Sequence, residues 1–491
     1  MSGRSLTQRS VSAAAWSLAF QFIGRLITPV IGILLARRLS PADYGLIGML
    51  GIFWAVGAIF TDGGFGIALL RKKDPEPIEY DSVFCYNLAL SFLIYLMLFV
   101  TAPWIAAFYR QPLLESIVRV TALTFPIGAW GAIPTIILQK RLQHRVLSGS
   151  RIGIAILSGL LAIGLAYGGY GVWALVWQQV VGTLLGSVFL IFYVRWLPSF
   201  RFHWAVLKQL MGFGSRMLAS NVLNTVFANL YQVAIGRFHS PEQLGYYTRA
   251  NAYAGLWPMS ISGTVESVTL PAFAEIQEDR KRLGLAVRRS LILLTAVCAF
   301  PTLLIAVLAR PLIVLLLTER WAPLAPFMWW LAGVHVLLPF HTANVQVLTA
   351  CGRSDLFLRI EILKKLLIAL NLVLTVQYGV PAMVAGQLVV SLLSIPINGF
   401  YSARLLLYSL GQQFSDLVRV LLPALLAACL AGAAHALFFF YAWPAIGALG
   451  TAAALGTAFY LLLLFYRRAE ELKIAMEILS QRYPDNSLLR W

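Results

Sequence analysis

Residues 37–45 read Arg37-Arg38-Leu39-Ser40-Pro41-Ala42-Asp43-Tyr44-Gly45, and residues 237–245 read Arg237-Phe238-His239-Ser240-Pro241-Glu242-Gln243-Leu244-Gly245. Arg, Ser-Pro and Gly recur at the same offsets, 200 residues apart. Ser-Pro is a common turn opening, so the dipeptide alone means little. What separates this pair from chance is that each copy lies between the first and second apolar runs of a set of six. A second echo, Ala102-Pro103-Trp104-Ile105 against Arg310-Pro311-Leu312-Ile313, falls in the third run of each set. Six crossings between copies give both halves the same membrane orientation, the parallel kind of repeat with an axis along the membrane normal.

The solvent of those runs is lipid. The chain has 491 residues, 59% of them hydrophobic and only 12% charged, against about 25% charged in soluble domains. About 20 apolar residues cross a hydrocarbon core of about 30 Å. On that rule the expected spans are 11–36, 44–70, 82–108, 113–138, 150–168, 171–194, 210–236, 244–272, 287–317, 323–349, 356–378, 380–406, 417–442 and 444–466, about fourteen helices. The predicted fold class is all-α: a polytopic membrane protein with two six-helix lobes in parallel repeat plus two C-terminal helices. The expected divisions are 1–208, 209–408, 409–466 and an amphipathic cytoplasmic tail, 467–491, with Leu472, Met476 and Leu479 at helical spacing. Arg4 and Arg9 precede an apolar stretch as in a signal peptide, but that stretch, Val11 to Ala36, is too long for a cleaved one.

The net charge of +18 would suggest nucleic acid in a soluble protein. Here the basic residues sit in short loops, and counting them in alternate loops sets the orientation. With the N-terminus inside, 28 of the 38 Lys and Arg are inside and seven (Arg37, Arg38, Arg110, Arg119, Arg237, Arg310, Arg320) are outside. This positive-inside bias predicts cytoplasmic termini. Cys85, Cys298, Cys351 and Cys429 form no CxxC pair, so neither a disulfide nor a metal site is expected. His335 and His341 lie six apart, off a common helical face, and no P-loop, Rossmann fingerprint, HExxH or Ser-His-Asp pattern occurs. No cofactor, metal or catalytic residue is expected.

The remaining three basic residues, Arg25, Arg216 and Arg249, fall inside apolar runs. A charge at a helix centre in lipid costs about 2.5–3.5 kcal/mol on insertion scales, so it faces a cavity or a partner. Arginine stays charged and offers a planar fork to phosphate oxygens. One reading therefore lines a cavity for an anion; the other pairs Arg25 with Asp62 to lock two helices. Asp62 and Glu266 are the acidic counterparts, as structural or coupling acids. Asn221, Asn224 and Gln232 share one face of the seventh helix, with Asn229 nearby; amides there either glue helices or line a wet cavity suited to sugars. Asn251, Gln346 and Gln387 are weaker candidates of the same kind.

Ser12-Ala13-Ala14-Ala15-Trp16, Leu35 to Gly45, Asp62-Gly63-Gly64-Phe65-Gly66, Leu244-Gly245-Tyr246-Tyr247 and Leu270 to Asp279 together resemble bacterial polysaccharide flippases. The likeness is to the Wzx-type colanic-acid and exopolysaccharide branch of the multidrug/oligosaccharidyl-lipid/polysaccharide superfamily, over nearly the whole chain. It implies two lobes around a V-shaped cavity in the bacterial inner membrane. It also implies an undecaprenyl-pyrophosphate-linked oligosaccharide as substrate and polysaccharide polymerase and chain-length proteins as partners. Arg25 matches the placement of an arginine in related flippases; Arg216 and Arg249 have no such match. A cation exporter of the same superfamily would want acids where Arg25 stands. A membrane polymerase or ligase would want a long outside loop.

Overall fold

The computed structural model describes residues 27–62, 65–441 and 443–466; side chains of Asp62, Ile67, His144, 209–220, Thr264, Ser267 and Val268 lie outside the description. Arg25 and the tail helix expected beyond residue 466 fall outside it as well. All regular structure among the described residues is helical. In chain order the helices are α1 (Ile27–Ala36), α2 (Pro41–Asp62), α3 (Phe65–Arg71), α4 (Pro77–Tyr109), α5 (Leu113–Thr121), α6 (Thr124–Lys140), α7 (His144–Tyr167), α8 (Trp173–Val194), α9 (Trp204–Phe238), α10 (Pro241–Glu275), α11 (Arg280–Val307), α12 (Ala309–Leu316), α13 (Ala325–Val336), α14 (Leu338–Ala350), α15 (Ser354–Thr375), α16 (Val380–Leu405), α17 (Leu410–Phe440) and α18 (Ala445–Tyr466). Short 3₁₀ segments, Glu319–Leu324 and Val376–Tyr378, precede α13 and α16.

Each apolar run of the sequence is occupied by helix over its described residues, but several runs are broken. The run 113–138 is α5 and α6, 287–317 is α11 and α12, and 323–349 is α13 and α14. Each of these breaks precedes a proline: Pro126, Pro311 and Pro339. A proline ring clashes with the carbonyl four residues earlier, which here belongs to Ala122, Val307 and His335 at or beside the break. Proline in the new first turn loses no hydrogen bond. The echo Ala102-Pro103 against Arg310-Pro311 ends differently in the two halves: α4 runs through Pro103, whereas the chain breaks at Leu308.

Ten stretches among the described residues are long and apolar enough to cross a membrane. Helices α9, α10 and α15 have the length but are not among them. In α15 the cause is visible: Asp355, Arg359, Glu361, Lys364 and Lys365 interrupt it. Lys364 pairs with Glu361 at 2.5 Å. At its start, the hydrogen bond from Arg353 holds the Asp355 carboxyl down at about 2.

The chain divides into two compact units, Met1–Gly245 and Tyr246–Trp491. In the first, α4, α6 and α8 pack around Phe65, Leu69, Val83, Phe84, Ile133 and Leu207. In the second, α11 packs on α17 and α17 on α18, around Leu291, Phe300, Phe340, Leu417 and Tyr460. Lipid is as apolar as leucine, so close approach and polar bonds drive such packing. Accordingly α17 buries Ala424, Ala427, Ala428 and Ala431 completely among its neighbouring helices. A Cβ on Gly456 would come within 2.8 Å of the Ala431 methyl.

The repeated motif has a structural counterpart within the first unit. The starts of α2 and α10 meet where Pro41 and Gly45 face Pro241 and Gly245. A Cβ on Gly45 would run into the Pro241 carbonyl, and one on Gly245 into the Pro41 carbonyl. The contact is reciprocal, as a two-fold relation between the copies requires. Only glycine admits the two backbones this closely.

Candidate functional site

The polar side chains left in the apolar helices gather differently in the two units. In the first, α9 lies along α2. Gln232 is half-buried there, and a Cβ on Gly51 of α2 would stand 2.8 Å from its Oε1. Asn224 is half-buried and engaged, Asn221 is exposed, and Asn229 donates to the Thr225 carbonyl at 2.8 Å. Asn221, Asn224 and Gln232 thus occupy one face of α9; Arg216 is on the same helix, and its side chain lies outside the description. Asp62 ends α2.

A second polar feature of this unit was not singled out from sequence. A cavity of about 370 Å³ between α6, α7 and α8 is lined by Thr135, Ser150, Arg151, Gln178, Gln179 and Thr183, with leucine and isoleucine completing it. The available signal was the Gln178-Gln179 pair in an otherwise apolar helix.

In the second unit, the polar groups form a ladder of helix-to-helix bonds. His335 Nε2 donates to Asn251 Oδ1 at 3.0 Å. Gln387 donates to the Tyr247 hydroxyl at 2.9 Å, and the Thr269 hydroxyl to Gln346 Oε1 at 2.7 Å. The three weaker amide candidates are therefore bonded to neighbouring helices. Deeper in the unit, Asn398 Nδ2 donates to His341 Nδ1 at 2.9 Å, which leaves His341 Nε2 to donate to Ser391 Oγ at 3.0 Å. His341 is thereby held neutral-tautomer fashion between two side chains of α16.

The ladder continues through Asn344, which accepts from Ser402. Gln413 donates to Ser402 Oγ at 3.3 Å and to the Tyr408 carbonyl at 3.2 Å. Tyr408 donates to Asp416 at 2.8 Å, and Arg288 grips the same carboxylate at 2.6 and 3.2 Å. Asn344, Asn398, Ser402 and Gln413 are fully buried, so each bond replaces one that lipid cannot supply. Asn398 Oδ1 and Gln413 Oε1 have no donor among the described residues.

Sequence reasoning judged the histidines by metal spacing and so missed this ladder. Its signature was Ser391, Ser394, Asn398 and Ser402 in α16, spaced three, four and four apart along one helical face. Arg249 is half-buried in α10 beside the Tyr253 phenol, and Glu266 is exposed on the same helix. Among the described residues no cluster of His, Cys, Asp or Glu could hold a metal ion, and the four cysteines are free thiols.

Comparison with known proteins places this arrangement. A family described as polysaccharide biosynthesis protein matches residues 34–326. The chain is 27% identical to the teichuronic acid biosynthesis protein TuaB of Bacillus subtilis, over 84% of this chain and 86% of that one. It is 26% identical to the succinoglycan biosynthesis transport protein ExoT of Rhizobium meliloti, over 65% of this chain and 63% of that one. With the lipopolysaccharide biosynthesis protein WzxC of Escherichia coli it shares 23% identity over 84% of each. Among solved structures, the lipid II flippase MurJ in an inward closed conformation superposes with a TM-score of 0.71, at 13% identity over 92% of this chain and 99% of that one. An inward-facing MATE family transporter of the MOP superfamily gives 0.59 at 14% identity, over 79% and 98%. The chain belongs to the polysaccharide biosynthesis protein family, and its helical fold is like that of MurJ and the MATE transporter.

Proposed function

We propose that the protein is a flippase that moves an undecaprenyl-pyrophosphate-linked oligosaccharide across the bacterial inner membrane by alternating access, for surface polysaccharide synthesis. The observation that carries this reading is the family match over residues 34–326, joined to three arginines that fall inside apolar runs of the sequence. Lipid excludes such charges unless they meet a partner, and pyrophosphate is the partner a guanidinium suits best. Arg25, Arg216 and Arg249 would meet the pyrophosphate. Asn221, Asn224 and Gln232 would meet the sugars, while the polyprenyl chain stays in the bilayer. Both termini would be cytoplasmic, as the basic loops imply. Asp62 and Glu266 are candidates for ion coupling. A polymerase and chain-length proteins would take the product onward.

Export of cationic drugs, the alternative suggested by the MATE-like fold, requires acids in the path where this chain carries arginine. A polymerase or ligase requires a long catalytic loop, and the longest connection between described helices is only residues 195–203.

The test is complementation of a strain that depends on this chain for its surface polysaccharide. Arg25→Ala should abolish export at native expression, and Arg25→Lys should restore little of it, since lysine lacks the bidentate fork. Normal export by both variants would remove Arg25 from the phosphate role. The same pair at Arg249 asks the same question of α10.

A further inference from the structure

We propose that the second unit holds a binding site for an anionic, phosphate-bearing headgroup between α11 and α17, built from residues other than those assigned above to the transported substrate. The site is a cavity of about 530 Å³ lined by Lys281, Arg288, Tyr408, Gln412, Asp416 and Arg419, with Gly284 and Ser415 among the remaining walls. Both helices begin beside it, and their first turns add partial positive charge.

The wall is built rather than incidental. Lys281 and Arg288 lie two turns apart on one face of α11, with Gly284 between them. A Cβ on Gly284 would make ordinary contact with the Leu407 backbone at 3.7 Å, so the glycine leaves this wall of the cleft without a side chain. Gln412, Ser415, Asp416 and Arg419 occupy one face of α17 at spacings of three, one and three. Asp416 is buried and is engaged on three sides, by both arms of the Arg288 fork and by Tyr408. Beneath it Phe273, Leu283, Val287, Val347 and Leu406 form a packed core with Tyr408. The Arg288 charge is thus balanced and its position fixed.

Lys281 and Arg419 are exposed on the rim and form no ion pair among the described residues. Two free cations, two side-chain hydrogen-bond donors in Gln412 and Ser415, and a cleft of small-ligand size match a phosphate ester. The location suits a lipid: basic residues Arg280, Lys281, Arg282, Arg288 and Arg289 mark this as a membrane-boundary end of α11. The chemistry holds whichever leaflet that end occupies, so the inference does not depend on the transported substrate.

The experiment uses the purified full-length protein in uncharged detergent. Thermal unfolding is followed while short-chain phosphatidylglycerol, phosphatidylcholine or inorganic phosphate is added. Lys281→Gln, Arg419→Gln and the double variant are compared with Arg201→Gln, which removes an exposed charge from the other unit. Phosphatidylglycerol should raise the unfolding temperature saturably. Its half-saturating concentration should rise about tenfold in the double variant, two charge-assisted contacts being lost, and less in each single one; Arg201→Gln should stay near wild type. Stabilisation by phosphatidylglycerol but not inorganic phosphate identifies a lipid headgroup. Equal, Lys281- and Arg419-dependent stabilisation by both identifies a site for phosphate itself. If the double variant responds like Arg201→Gln, or if phosphatidylcholine works as well as phosphatidylglycerol, the site does not exist as described. Polysaccharide export by the Arg25 variants reports on transport separately.

Discussion

Replacing Gly45 or Gly245 by alanine tests the reciprocal contact between α2 and the start of α10. A methyl on Gly245 would stand 2.7 Å from the Pro41 carbonyl carbon and 3.2 Å from the Gly45 nitrogen. Ordinary carbon–carbon contact is ~3.5–4.0 Å, so the helices must separate by about 1 Å. Because the obstacle is backbone, no side-chain rotation relieves it. Overpacking costs ~1–3 kcal/mol, and a backbone obstacle that cannot yield puts this case in the upper part of that range, ~2–3 kcal/mol, partly offset by the ~1 kcal/mol that alanine gains over glycine in a helix. A net loss of about 1–2 kcal/mol changes a conformational equilibrium by about 5- to 30-fold. The assays are the thermal stability of the purified protein and polysaccharide export at matched expression. Gly45→Ala and Gly245→Ala should be similarly impaired, and the double variant should lose less than the sum of the two, because helices already separated accept the second methyl. Gly263→Ala, whose Cβ meets nothing within 4 Å, should export normally and be no less stable than wild type, gaining up to ~1 kcal/mol from helix propensity. Unchanged stability and export in both Gly45→Ala and Gly245→Ala would refute the reasoning.

Four further expectations follow from named contacts. Ser402→Ala leaves the buried Asn344 and Gln413 amides short of a partner and should lower stability by about 1 kcal/mol, the scale of interhelical bonds in membranes; Ser290→Ala, on a half-exposed site, is the comparison in a melting assay. Asp416→Asn strips the charge from the carboxylate shared by Arg288 and Tyr408 and should destabilise by ~1–3 kcal/mol, read as a lower unfolding temperature. Gly456→Val should pry α18 from α17, costing ~1–3 kcal/mol by overpacking; cysteine cross-linking between the two helices would weaken. At the start of α15, the Asp355 carboxyl is lowered to about 2 chiefly by the Arg353 hydrogen bond, against an ordinary value of ~3.9. Its contribution is present above pH ~4 and is lost as pH falls toward the folded value. Arg353→Gln should flatten the acid limb of a stability profile between those two values, with the curves converging at the lowest pH.

The comparison of sequence with structure divides along a physical line. Composition and run length determined that the chain is helical and lies in the membrane, because lipid requires each backbone to satisfy its own hydrogen bonds over a fixed thickness. The recurrence of Arg, Ser-Pro and Gly singled out two sites 200 residues apart, and the same glycines prove to be the points where α2 and α10 approach. Arg25, Arg216 and Arg249 stand out in the sequence as charges within apolar runs, exceptions to a solvent rule. Other features depend on which helices are neighbours. Three runs break before prolines while α4 passes through Pro103, because the surrounding packing decides whether a proline bends or ends a helix. His335 and His341 looked unpaired along the chain, yet each meets a partner contributed by another helix. The anchoring of Asp416 by Arg288 joins residues 128 positions apart. Hydropathy is a property of one segment in its solvent and can be read from that segment alone. Hydrogen-bond partners, clefts and close glycine contacts belong to pairs of segments, and only the tertiary structure brings those pairs together.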